Sequence, residues 1–198
     1  MFGVFTAARH YRGNGLVRFR EQWLGFAVTF VAAGIGAWTV QRIDPHLLSN
    51  IIPFFLLVIA LYTVFTPSLG AVATRARMNG RWFSVVFGIL LGFYDGFFGP
   101  GVGTFWAISF MTLLGCEIRT ATARTKVMNL ASNIMSVIMF GLGGSILWSY
   151  GAVMAAGQII GARIGAGLAV KKGIRVIRPL YIIVVFATIA KLLLSRFL

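Results

Sequence analysis

Asp95-Gly96-Phe97-Phe98-Gly99-Pro100-Gly101-Val102-Gly103 sets four glycines and a proline into nine residues in the middle of an apolar segment. In a helix interior each glycine costs about 1 kcal/mol relative to alanine and a proline about 3 kcal/mol, so the helix must break here. The surrounding region, Trp82 to Gly115, holds 34 residues without a Lys or Arg. As one straight helix it would run about 51 Å, well beyond a hydrocarbon layer of about 30 Å. The pattern predicts two short helices, about 83–95 and 103–115, joined by an irregular turn inside a membrane. Such a turn survives in lipid only where protein or water covers its backbone.

The rest of the chain supports a membrane setting. Trp23 to Val40, Leu47 to Phe65, Ile146 to Val170 and Val176 to Leu194 are each apolar and long enough to span, and Lys126 to Gly143 is a shorter fifth stretch. Of 198 residues 59% are hydrophobic and only 11% charged, too few charges to clothe a soluble globule of this size. Mean hydropathy is +0.89.

The net charge of +14 arises from 18 Lys and Arg against 4 Asp and Glu. These cations sit in short clusters between apolar stretches, the pattern of cytoplasmic loops beside anionic lipid, not of a nucleic-acid-binding face. The loop-charge rule also decides between two topologies. If the 82–115 unit enters and leaves on one side, 14 basic residues fall inside, Arg42 and Arg196 fall outside, and Arg163 and Lys191 stay within helices. If it crosses once, the partition becomes 8 against 8. The hairpin is therefore expected, with the loop near 141–149 and the C-terminus outside.

One cysteine, Cys116, forms no internal disulfide, and no CxxC, HExxH or Cys/His cluster offers a metal site. No cofactor is expected. Residues 1–12 hold no signal-peptide pattern. A weak internal repeat is visible: Ile35-Gly36-Ala37, a polar loop and Pro53 recur as Ile164-Gly165-Ala166, a polar loop and Pro179. The first loop is expected outside and the second inside, the inverted arrangement of many secondary transporters. The fold class expected is all-α, a polytopic transmembrane bundle with a broken hairpin helix and inverted-repeat architecture. Residues 1–81 read as the remnant of a first repeat and 82–198 as a second.

Asp95 is the one carboxylate within an apolar segment. Three readings stand side by side: a cap accepting N–H groups from the broken turn, a proton-coupling or gating acid, or half of an ion pair. The helix expected to start near Gly103 and Thr104 presents amides without intrahelical partners and a positive dipole end, and glycines let a small anion approach. A tightly packed kink without ligand is the alternative. Thr125, Asn129, Ser132, Asn133 and Ser136 share one helix face, as an oxyanion path or as interhelical hydrogen-bond glue. Lys126 stands at the cytoplasmic end of that stretch. Gly157, Gly161 and Gly165, like Gly88, Gly92 and Gly96, form small-residue ridges suited to close helix packing. Gln158 beside the former is either a ligand contact or a partner for broken backbone. No His, Ser or second acid is expected beside Asp95, which argues against an enzyme.

Three blocks in order, Gly92-Phe93-Tyr94-Asp95-Gly96-Phe97-Phe98-Gly99-Pro100-Gly101-Val102-Gly103, then Ala121-Thr122-Ala123-Arg124-Thr125-Lys126 with Asn129, then Gly157-Gln158 with Gly161-Ala162-Arg163, resemble the TauE/SafE family of membrane transporters. The resemblance implies a multi-pass permease or exporter of small anions, sulfur oxyanions or organosulfonates, in the bacterial inner membrane. The candidate substrate-binding residues are then Gly99, Gly101, Gly103, Thr104, Asn129, Asn133 and Gln158, with Asp95 for coupling or gating and Lys126 to attract anions. Partners expected are the lipid bilayer and a small anion, with no nucleic acid. The family's first half should open with its own Gly-rich broken helix. Here Phe5-Thr6-Ala7-Ala8-Arg9 runs straight into a basic loop, so roughly 60 residues are expected to be missing relative to that pattern. The rival reading is a transport-incompetent fragment or membrane scaffold, completed by an oligomer or partner chain that supplies helices.

Overall fold

The computed structural model describes residues 19–44 and 75–172, with side chains for 20–44 and 75–161. The expected spans at 47–65 and 176–194, the loops of the internal repeat and the ends of the chain lie outside the described residues. Among the described residues the architecture is all-helical: α1 Phe19–Val40, α2 Gly80–Phe97, α3 Val102–Leu113, α4 Ile118–Leu142 and α5 Trp148–Lys172. By length and apolarity α1 and α4 can each cross a bilayer. The chain divides into two compact units, residues 1–42 with 68–162 and residues 43–67 with 163–198. The first contains α1 to α4 and most of α5.

The break falls where the sequence puts it, but the halves are unequal. α2 starts at Gly80, three residues earlier than expected, because Asn79 caps it: its side chain accepts from the Arg81 N–H at 2.9 Å. At 18 residues α2 is about 27 Å long, whereas α3, with 12, is about 18 Å. The two run antiparallel. At the far end of the hairpin the amides of Arg77 and Met78 donate to the Leu113 carbonyl at 2.8 and 3.2 Å, so the chain enters and leaves this unit at one place. A continuous rod across 82–115 is excluded.

Aromatic side chains zip the hairpin. Phe83 of α2 lies 5.0 Å from the Phe110 ring and 6.2 Å from Trp106, and Trp106 stacks on Phe110 at 5.4 Å. Ala121, Ala123, Val127 and Met128 of α4 complete this buried cluster. In lipid the hydrophobic effect does not drive helices together, so packing of this kind and interhelical hydrogen bonds must do so.

α1 runs parallel to α2 in near backbone contact. Added Cβ atoms at Gly88 and Gly92 would stand 2.9 Å from Val28 and from the Thr29 backbone, and one at Gly96 would collide with the Ala33 carbonyl. The expected ridge Gly88, Gly92, Gly96 is thus a close-packing face, answered on α1 by Gly36, whose Cα faces the Phe93 carbonyl. The Gly157 and Gly161 ridge differs: among the described residues nothing lies within 4 Å of a Cβ at either position. α1 is also parallel to α4, joined at the starts by Arg124 and Glu21 at 3.8 Å and near the ends by Gln41, whose Nε2 meets the Met139 carbonyl at 3.5 Å. Hence α1, α2 and α4 all begin at one end. Arg20, Arg81 and Arg119 gather there while Arg42, stacked 3.6 Å over Trp38, marks the other end. This is the same partition of charge that the loop-charge rule requires.

α4 begins at Ile118, eight residues before the expected apolar stretch. Lys126 is therefore two turns inside the helix, about 12 Å from its start, and not at its end as expected. The charges at Arg119 and Arg124 read as loop in the sequence, yet the backbone stays helical through them, aided by Thr122 and Thr125 hydroxyls that donate to the Ile118 and Ala121 carbonyls.

Candidate functional site

The candidate site is the turn between α2 and α3 with the middle of α4 behind it. The amides of Phe98 and Gly99 both donate to the Tyr94 carbonyl, at 2.8 and 3.1 Å, which ends α2. Gly99 and Gly101 then adopt φ of +83° and +79°, a left-handed conformation that favours glycine. Tyr94 pins the turn from the side: its hydroxyl donates to the Pro100 carbonyl at 2.8 Å and its ring meets Phe105 edge-on at 5.8 Å. Tyr94→Phe should lower stability by about 1 kcal/mol, or about 2–4 °C in Tm, because it strips the bond from Pro100 and leaves the ring in place. A thermal melt of the purified protein checks this.

α3 opens at Val102 with Gly101 as its cap residue and no side-chain cap. The Val102 amide donates to the Gly99 carbonyl at 3.3 Å and the Thr104 amide to Gly101 at 2.9 Å, so these two are not free as the sequence suggested. The Gly101 and Gly103 amides have no acceptor among the described residues. Two donors without acceptors thus lie at the helix start, where the positive dipole end adds to them.

Asn129 stands opposite. A Cβ on Gly103 would be 3.3 Å from Asn129 Nδ2 and 3.8 Å from Thr125 Cγ2, so glycine lets the start of α3 come close to Asn129 without crowding it. Asn129 Oδ1 is buried without a hydrogen-bond partner among the described residues. Since amide oxygen and nitrogen can exchange places, either orientation leaves this side chain with unused capacity beside the turn. Lys126 precedes Asn129 by three residues, about 4.5 Å along the axis, and is half-buried. Asn133 is otherwise engaged: its Nδ2 donates to the Asn129 carbonyl at 2.6 Å. Gln158 is exposed on α5, which does not pack against α2 or α3, so it is not brought to the turn.

Asp95 takes neither the Phe98 nor the Gly99 amide, which bond to the Tyr94 carbonyl instead, and among the described residues no Lys or Arg forms an ion pair with it. Its Oδ2 accepts the Ser132 hydroxyl from α4, and its Oδ1 lies 3.5 Å from a Cβ position on Gly99. The expectation that no serine accompanies Asp95 is thereby corrected. Ser132 is only 1% exposed, however, and so is not presented to a substrate as a nucleophile. The sequence had marked Ser132 as one of a polar stripe. Its partner, 37 residues away, left no local signal.

Comparison with known proteins agrees with these features. The family described as "Sulfite exporter TauE/SafE" matches residues 1–192. The chain is similar to a "Probable membrane transporter protein" of Haemophilus influenzae, 39% identical over 99% of this chain and 77% of the relative. It is similar to "Probable membrane transporter protein YfcA" of Escherichia coli K12, 40% identical over 96% of this chain and 71% of the relative. "Probable membrane transporter protein ORF9" of a Sinorhizobium species is 37% identical over 98% of this chain and 74% of the relative. No solved structure matches.

Proposed function

The chain belongs to the Sulfite exporter TauE/SafE family of membrane transporters, and we propose that it is a multi-pass permease of the bacterial plasma membrane for small sulfur oxyanions or organosulfonates. The observation that carries this reading is the pair of unbonded amides, Gly101 and Gly103, at the start of α3 with Asn129 across from them. Peptide N–H groups at a helix start hold an oxyanion without a buried cation that would trap it. The left-handed turn at Gly99 and Gly101 aims them, and Thr104 closes the first turn behind them through its bond to Gly101. Lys126, less than a turn from Asn129 and towards the basic end of the bundle, draws anions to that mouth. Asp95, beside the turn, is the coupling or gating acid. Asn133 acts by fixing the α4 backbone at Asn129. Gln158 has no part in the turn.

The test is uptake of radiolabelled sulfite and methanesulfonate into proteoliposomes holding the full chain. Asn129→Ala should cut the apparent affinity about 10- to 100-fold, the worth of one hydrogen bond to a charged group. Saturable uptake that the variant leaves unchanged would remove Asn129 from the site. No uptake, together with a membrane protein that co-purifies, would favour the scaffold instead.

A further inference from the structure

The Asp95 and Ser132 contact joins the broken helix to α4, and its surroundings give the serine two uses. Ser132 Oγ donates to Asp95 Oδ2, but it also lies 3.3 Å from the Met128 carbonyl and 3.2 Å from the Asn129 carbonyl of its own helix. A hydroxyl has one proton to donate and two lone pairs with which to accept. When Asp95 is ionised, that proton goes to the carboxylate. When a proton from water adds to Oδ2, the new O–H donates to Ser132 Oγ, and the serine proton swings to a main-chain carbonyl of α4. One O–H bond forms on Asp95, none in the protein breaks, and every partner stays satisfied.

We infer that Ser132 is a positioning residue of this kind, a two-way donor that lets Asp95 gain and lose a proton without parting α2 from α4, so that the anion site fills together with a proton. The inference rests on the anion-site reading above. The other Asp95 oxygen abuts Gly99, so an ionised Asp95 sets a negative charge against the turn that would hold the anion, and protonation removes it. Among the described residues no other charge stands beside Asp95 on the helices packed around it. α2 adds Tyr94, whose hydroxyl is spent on Pro100, and Arg81 at its far end. α1, packed through Ala33 and Gly36, carries Arg20 and Glu21 in its first turn and Arg42 and Asp44 beyond its end. α3 has no titratable residue. α4 carries Arg119, Arg124 and Lys126, the nearest six residues, or about 9 Å along the axis, before Ser132.

The experiment measures methanesulfonate uptake against pH, because this anion keeps its charge from acid to neutral pH. Wild-type uptake should fall as pH rises and Asp95 loses its proton. Ser132→Ala removes the donor that favours the ionised carboxylate, so the midpoint should move upward by about one pH unit or more. Ser132→Thr keeps the hydroxyl and should restore the wild-type midpoint, while Asp95→Asn should abolish the pH dependence. A Ser132→Ala profile that superimposes on wild type, or a threonine variant shifted as far as the alanine one, overturns the inference and leaves the anion site standing. Should the alanine variant fail to fold, Ser132→Cys takes its place: a weaker donor must shift the midpoint upward, and an unshifted profile overturns the proposal. Absence of saturable uptake by the wild type overturns the anion site and this coupling together.

Discussion

Gly96→Ala should abolish the folded protein. The added methyl would occupy the position of the Ala33 carbonyl, and both obstacles are backbone, which cannot rotate away as a side chain can. Overpacking a core costs about 1–3 kcal/mol where side chains yield. Here the only relief is for α1 and α2 to separate along their length, which also undoes the contacts at Gly88, Gly92 and Gly36. The monodisperse peak in detergent size-exclusion chromatography should disappear. Gly80→Ala is the control: among the described residues nothing lies within 4 Å of its Cβ position, and the elution profile should not change.

Gly103→Val is expected to do the reverse, sparing the fold and stopping uptake. Gly103 is inside α3 with no positive φ, so a side chain suits its backbone. The Cβ would nevertheless stand 3.3 Å from Asn129 Nδ2, and valine's methyls would crowd that amide at the start of α3. Methanesulfonate and sulfite uptake should fall at least tenfold, with the same elution volume and a Tm within a few degrees of wild type. Unchanged uptake would place the anion elsewhere. The two glycines are thus separable by experiment: one keeps two helices together, the other keeps a space open.

The sequence disclosed the break because its cause is local. Four glycines and a proline in nine residues oppose a helix whatever surrounds them. The hairpin followed from charge, since only a return to one side gathers Arg81 and Arg119 together. Boundaries were less legible where charge and helix disagree: Arg119, Arg124 and Lys126 mark the edge of the apolar stretch, but α4 runs on through them because its backbone bonds do not need an apolar surface. Asn79 had the residue type of a helix cap and stood just before the apolar run, a signal that was there to read. The site was legible in its glycines and Asn129 but not in its pairings. Nothing near Asp95 announces Ser132, and nothing in Thr104 or Asn133 tells that their nitrogens are already spent on Gly101 and Asn129.

The closed base of the hairpin, where Arg77 and Met78 reach Leu113, has a bearing on biogenesis. α3, at about 18 Å, is too short to be threaded through a bilayer alone, and the bare amides at its start are intolerable in hydrocarbon without cover. The translocation machinery therefore cannot release the pair into lipid one helix at a time. α1 must be in place before residues 80–113 leave their shelter, and α4, the next helix to emerge, seals them in.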